Sequence, residues 1–205
     1  MRFFRASYTQ FLVPAIIVMT ALIGANQTGV GLAEDLSKGV VDRFRSLPMS
    51  GVAVLAGRTV SDSLRNIASI SLVIALGYLI GFRFEAGVSA ALVAIAIAVV
   101  LGFAVSWMVV LIATIVRSAE GVGMVNMLWL MPVWFASSMF VPTSTMPGWL
   151  QPIAHNQPVS VAVDAIRALS TSGFDTELAL KALLWSAGLL AVFIPLATFR
   201  YGRSA

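Results

Sequence analysis

The sequence contains no cysteine, which excludes disulfide frameworks, thiol catalysis and cysteine-held metals. Histidine is almost as scarce. His155 is the single one and sits among Pro152, Asn156 and Pro158 with no carboxylate beside it, the setting of a loop or interface residue rather than of a metal ligand or proton carrier. Charge is scarce as well: Asp, Glu, Lys and Arg make up 11% of the 205 residues. A soluble domain carries about 25%, so this chain has too few charges to clothe a water-facing surface. The net charge of +4 would point to nucleic acid in a soluble protein, but here the basic residues are spaced between apolar runs and report topology instead. Sequence signatures of catalysis are missing too. There is no G-x-x-x-x-G-K-[ST] loop, no H-E-x-x-H, no nucleophile elbow and no paired carboxylates. A membrane-embedded protease or lipid transferase would need such a cluster.

What the chain has is apolar length. Residues of the apolar class make up 59% of it. Crossing about 30 Å of hydrocarbon takes about 20 helical residues at 1.5 Å each. Five stretches meet or approach that, near 11–33, 64–82, 88–116, 121–141 and 177–199. The first is too long for the apolar core of a cleavable leader and reads as a span. Pro14 is expected in its first turn, where a missing N–H does no harm. The third is longer than a perpendicular crossing needs. Pro132 is expected to kink the fourth. The fold class is therefore all-α, a polytopic transmembrane helical bundle forming a single domain. Residues 142–176 carry Pro142, Pro147, Pro152 and Pro158 yet stay apolar, which predicts short interfacial or re-entrant helices with Trp149 at headgroup depth. One of these is expected over Val159–Leu169, with Asp164 and Arg167 paired at i,i+3.

Basic residues set the orientation. Lys38, Arg43, Arg45, Arg58, Arg65, Arg117, Arg200 and Arg203 fall on one side, and Arg2, Arg5, Arg83, Arg167 and Lys181 on the other. The richer side is expected in the cytoplasm, with the C-terminus. Arg2 and Arg5 then lie outside, against the trend, and a missing first helix is the simplest remedy.

Residues 34–63 form the expected cytoplasmic segment. Within it Val40, Val41, Phe44 and Leu47 share one helical face, while Lys38, Asp42, Arg43 and Arg45 occupy the rest, and Pro48 ends the turn. A short amphipathic helix of this kind can lie on anionic lipid, link two spans, or dock in a groove of a cytosolic partner. Inside the membrane polar side chains are few. Asn26, Gln27, Ser106 and Asn126 are candidates for a translocation lining, with interhelical packing as the alternative role. Met124, Met127, Met131 and Met139, with Trp129, Trp134, Phe135 and Phe140, offer an adaptable apolar surface or ordinary packing and lipid contact. Gly77 and Gly81 allow close helix approach.

The run Glu34…Gly39…Arg43-Phe44-Arg45-Ser46-Leu47-Pro48-Met49-Ser50, followed by Leu55-Ala56-Gly57-Arg58, resembles the first cytoplasmic loop of type-2 ATP-binding-cassette permeases, in particular the daunorubicin/doxorubicin-resistance branch of drug exporters. Phe140-Val141-Pro142-Thr143-Ser144-Thr145-Met146-Pro147-Gly148-Trp149-Leu150 and Asn156-Gln157-Pro158-Val159 resemble the outer segment of that branch. The likeness runs from Tyr8-Thr9-Gln10-Phe11-Leu12-Val13-Pro14 to the basic tail. It implies a six-helix permease, of which this chain lacks the first span, with a coupling helix at Lys38–Leu47 and a re-entrant pair before the last span. It also implies a bacterial inner or plasma membrane location and no chemistry on this chain. ATP and Mg would be held by a separate ATPase subunit, and a second permease copy or homologue would complete the pathway. The cargo would be a hydrophobic drug or lipid-like molecule, exported by alternating access. Export of a polysaccharide or lipid-linked glycan, or a non-transporting assembly role, are the alternatives.

Overall fold

The computed structural model describes residues 2–38, 51–85, 87–171 and 175–203. Among them there is no strand. The helices are α1 (Arg2–Ser37), α2 (Gly51–Leu79), α3 (Gly87–Val116), α4 (Ala119–Phe135), α5 (Gln151–Asn156), α6 (Pro158–Thr171) and α7 (Thr176–Arg203), with a 3-10 turn at Thr143–Thr145. An all-helical solution follows from the solvent, because a backbone in hydrocarbon must satisfy its own hydrogen bonds. Four of the described helices, α1, α2, α3 and α7, are long and apolar enough to cross a membrane. α4 has 17 residues, about 25 Å at 1.5 Å per residue.

α3 is the hub. It is apolar on every side, as a helix enclosed by others must be, and it packs on α1, α7, α2, α6 and α4. Small residues let α1 come close to it. A Cβ on Gly29 would stand 2.1 Å from Val109 Cγ1, and one on Gly102 3.1 Å from the Ala21 carbonyl. α7 packs on α3 and α6, with Ala179, Ala182, Ser186 and Ala197 buried and Leu180, Leu184, Val192 and Phe199 exposed. α2 is likewise covered on one stripe, Asn66, Ile70 and Ile74.

The helix ends are set by local chemistry. α2 stops in a Schellman turn: Phe82 N–H bonds the Gly77 carbonyl at 2.9 Å, Gly81 N–H bonds Tyr78 at 3.4 Å, and Gly81 takes φ +104°. Phe82 then tucks in fully buried, edge-on to Phe84 at 4.9 Å. Ser118 opens α4, its Oγ accepting from Gly121 N–H at 3.2 Å, after Arg117 has turned the chain at φ +56°. Asp175 opens α7 by accepting from Glu177 and Leu178 N–H.

Several boundaries differ from the sequence-based expectation. α1 starts at Arg2, so Pro14 lies inside the helix and removes an i→i−4 bond there. α2 begins at Gly51 rather than near residue 64, because Arg58 finds a partner on α1 and Asp62 and Arg65 pair at helical spacing, so a helix accommodates all three charges. α4 ends at Phe135 rather than near Val141, three residues beyond Pro132, where Gln157, between α5 and α6, caps its last turn.

Candidate functional site

One end of the bundle gathers the close of α1 and the opening of α2. Between them, Val40, Val41, Asp42, Arg43, Phe44, Arg45 and Leu47 lie outside the described residues. Lys38 is described. It is exposed at the end of α1, with Nζ 3.3 Å from Glu34 Oε2. A few residues inward the two helices are joined by charge, the Arg58 guanidinium donating to Asp35 Oδ2, while within α2 Arg65 donates to Asp62 at 2.9 Å.

One further step into the bundle is a polar layer. The structure brings Asn26 and Asn126 together, Asn126 Nδ2 donating to Asn26 Oδ1 at 2.5 Å, while Trp129 Nε1 donates to Asn126 Oδ1 at 3.0 Å. Asn126 is fully buried. Gln27, the next residue on α1, turns to the other side. It is exposed and lines a cleft of about 140 Å³ with Thr20, Asp62, Arg65, Asn66 and Ser69. Asn66 bridges that cleft to α1 by donating to the Ala21 carbonyl at 3.1 Å. Ser106 joins neither group; it is buried and donates to the Phe103 carbonyl of its own helix at 2.7 Å. The four intramembrane candidates thus divide into a hydrogen-bonded pair, a cleft residue and a self-satisfied serine.

The methionines divide too. Met124, Met127, Leu128, Met131 and Pro132 shape a shallow, almost wholly apolar concavity of about 510 Å³ on α4, with Met124 75% and Leu128 78% exposed. Met139 is fully buried, and Trp129 and Trp134 pack against the core.

The opposite end holds a polar knot of which the sequence disclosed one pair. Asp164 and Arg167 pair at 2.8 Å as the i,i+3 spacing predicts. Arg167 also donates to the Ser138 carbonyl at 3.1 Å and the Phe11 carbonyl at 3.3 Å, and its guanidinium stacks 4.0 Å over the Phe11 ring. Gln157 donates to the Ala136 carbonyl at 2.5 Å and to Ser160 Oγ at 3.1 Å, and Ser160 Oγ accepts from Ser138 N–H at 3.0 Å. His155 bonds Thr143 at 3.0 Å, an intrasegment contact. The tie between α1, the end of α4 and α6 spans 156 residues of sequence and left no local signal.

The described helices thus form an apolar bundle with bonded internal polar groups, a charge contact at one end and a polar knot at the other. Residues 2–170 match the ABC-2 type transporter family. The chain is 40% identical over 200 residues to the daunorubicin resistance ABC transporter permease protein DrrB1 of Streptomyces coeruleorubidus, covering 96% of this chain and 69% of that protein. It is 29% identical over 187 residues to the probable doxorubicin resistance ABC transporter permease protein DrrC of Mycobacterium tuberculosis, covering 91% and 67%. The doxorubicin resistance permease DrrB of the same species is 31% identical over 165 residues, covering 78% of this chain and 56% of its own length. The chain belongs to the ABC-2 type transporter family.

Proposed function

We propose that this chain is the membrane-spanning permease of a drug exporter driven by a separate ATP-binding-cassette ATPase. The observation that carries this is the 40% identity to a daunorubicin resistance permease across 96% of the chain. The helical frame supports it. α1 and α2 form a charge-tied pair flanking residues 39–50, where the amphipathic pattern of Val40, Val41, Phe44 and Leu47 supplies the docking face and Lys38, Asp42, Arg43 and Arg45 orient it. That end faces the cytoplasm with the C-terminus, and the membrane is the bacterial inner or plasma membrane. ATP and Mg bind the partner. Closure of the ATPase subunits pushes on the docking helix, and the spans move as rigid bodies to alternate access.

The cargo is a hydrophobic or amphipathic drug. The exposed methionine face of α4 suits it, because unbranched thioethers repack around varied apolar shapes. Gln27 is the candidate best exposed to meet cargo, whereas the hydrogen-bonded Asn26–Asn126 pair and the buried Ser106 hold the walls of the pathway. A second permease, identical or homologous, completes that pathway on the uncovered faces of the bundle.

The test is co-purification with the ATPase, followed by reconstitution in vesicles with doxorubicin as the probe. Phe44→Asp places a charge on the docking face. It is expected to reduce ATPase association at least tenfold, about 1.4 kcal/mol, and to abolish ATP-dependent doxorubicin movement. Association and transport equal to the parent would defeat the docking assignment.

A further inference from the structure

Arg58 stands seven residues into α2 and reaches across to α1. Its Nη1 donates to Asp35 Oδ2, and both side chains are partly buried, at 28% and 38% exposure. The guanidinium lies directly over the backbone of Gly31, one helical turn before Asp35. A Cβ on Gly31 would meet Arg58 Nη2 at 2.3 Å, so the absence of a side chain there makes the seat. Asp62, one turn further along α2, flanks the guanidinium from its own helix, with Oδ2 4.0 Å from Nε, and holds Arg65 at 2.9 Å by its other oxygen. The Arg58–Asp35 contact ties α1 to α2 three residues before Lys38 and seven after α2 begins at Gly51, the two ends that flank residues 39–50.

An ion pair in this position does little for stability, since partly exposed pairs contribute modestly and are screened. Its geometric effect is larger. Two antiparallel helices joined by a charge contact at their common end resist splaying and sliding there, and a planar guanidinium seated on a glycine backbone has little freedom to follow if they do. We propose that Arg58 is a positioning residue that locks the ends of α1 and α2 into one lever, so that a push on the segment between them moves both spans together. This rests on the reading of that segment as the ATPase docking element. Without the brace, the push would bend the root of one helix and be lost before it reached the polar layer at Asn26, Gln27 and Asn66.

The experiment uses the full chain with its ATPase in vesicles, with doxorubicin movement and ATP hydrolysis measured together. Arg58→Gln is expected to lower doxorubicin moved per ATP hydrolysed by roughly tenfold, the scale set by separating a partly buried charge pair. The exchange Asp35→Arg with Arg58→Asp is expected to restore at least half of it. A second readout needs no ATPase. The chain has no cysteine, so Ser37→Cys and Ser61→Cys place two spin labels on exposed sites of α1 and α2. Their distance distribution is expected to be narrow in the parent, broad in Arg58→Gln and narrow again in the exchange variant. An unchanged distribution in Arg58→Gln overturns the brace, as does a parental transport-to-hydrolysis ratio. The docking reading fails separately: Phe44→Asp would then leave ATPase association intact while the spin-label result stood.

Discussion

Asn126 has one oxygen and one amide, and both are used. The amide holds α1 through Asn26, and the oxygen receives the Trp129 indole N–H. Replacing it with leucine leaves an amide and an indole without partners in an apolar interior. The expected loss is about 1 kcal/mol, between the average for an interhelical hydrogen bond in a membrane and the penalty for a stranded buried group. A lower apparent melting temperature in detergent would register it, and Asn26→Leu combined with Asn126→Leu is expected to recover part. Arg167 carries more. Removing it breaks the Asp164 pair and two carbonyl contacts and leaves a carboxylate unpaired. Arg167→Met is expected to cost about 3 kcal/mol, and Asp164→Leu in the same chain to reduce that cost, because a pair removed whole leaves no stranded charge. Parental thermal stability of Arg167→Met would show that the knot is ornamental.

Among the elements, α1 and α3 depend on the space left by Gly29. Alanine there must displace Val109, and the expected destabilisation is about 1–3 kcal/mol, as for other overpacked sites. Gly29→Ala with Val109→Ala is expected to be milder, and detergent melting of the single and double variants decides it. The element pattern also shows what a sequence can disclose. α3 was legible because 28 uncharged residues from Val88 to Ile115 leave no other solution in lipid. α6 was legible from the Pro158 start and the Asp164–Arg167 spacing. The beginning of α2 was not, because Arg58 and Asp62 look like water-facing residues until Asp35, 23 positions away, is seen beside Arg58. Nor was the end of α4, where the capping donor belongs to Gln157, 21 positions beyond the carbonyl it meets. Periodicity reports faces; it does not report which distant residue will cover them.

At the scale of the molecule, sidedness is the property to measure. A cysteine at Lys38 is expected to react with an impermeant maleimide only when the cytoplasmic face is exposed, and one at Thr145 only from outside. The opposite result would invert the orientation. The bundle itself is unevenly covered. α3 is enclosed, whereas α2 and α7 keep most of their apolar span uncovered, with Leu64, Leu72, Leu76, Leu184 and Val192 all exposed. Such faces have lipid or another subunit as their natural neighbour.

The knot at Arg167 bears on how such a subunit opens. From α6 its one guanidinium holds the backbone of α1 at Phe11 and of the stretch just after α4 at Ser138, so a single side chain fastens three parts of the bundle. A hinge between these elements would have to break both contacts. While that rivet holds, the three parts would shift as a single block, and turning one arginine side chain would be enough to uncouple them.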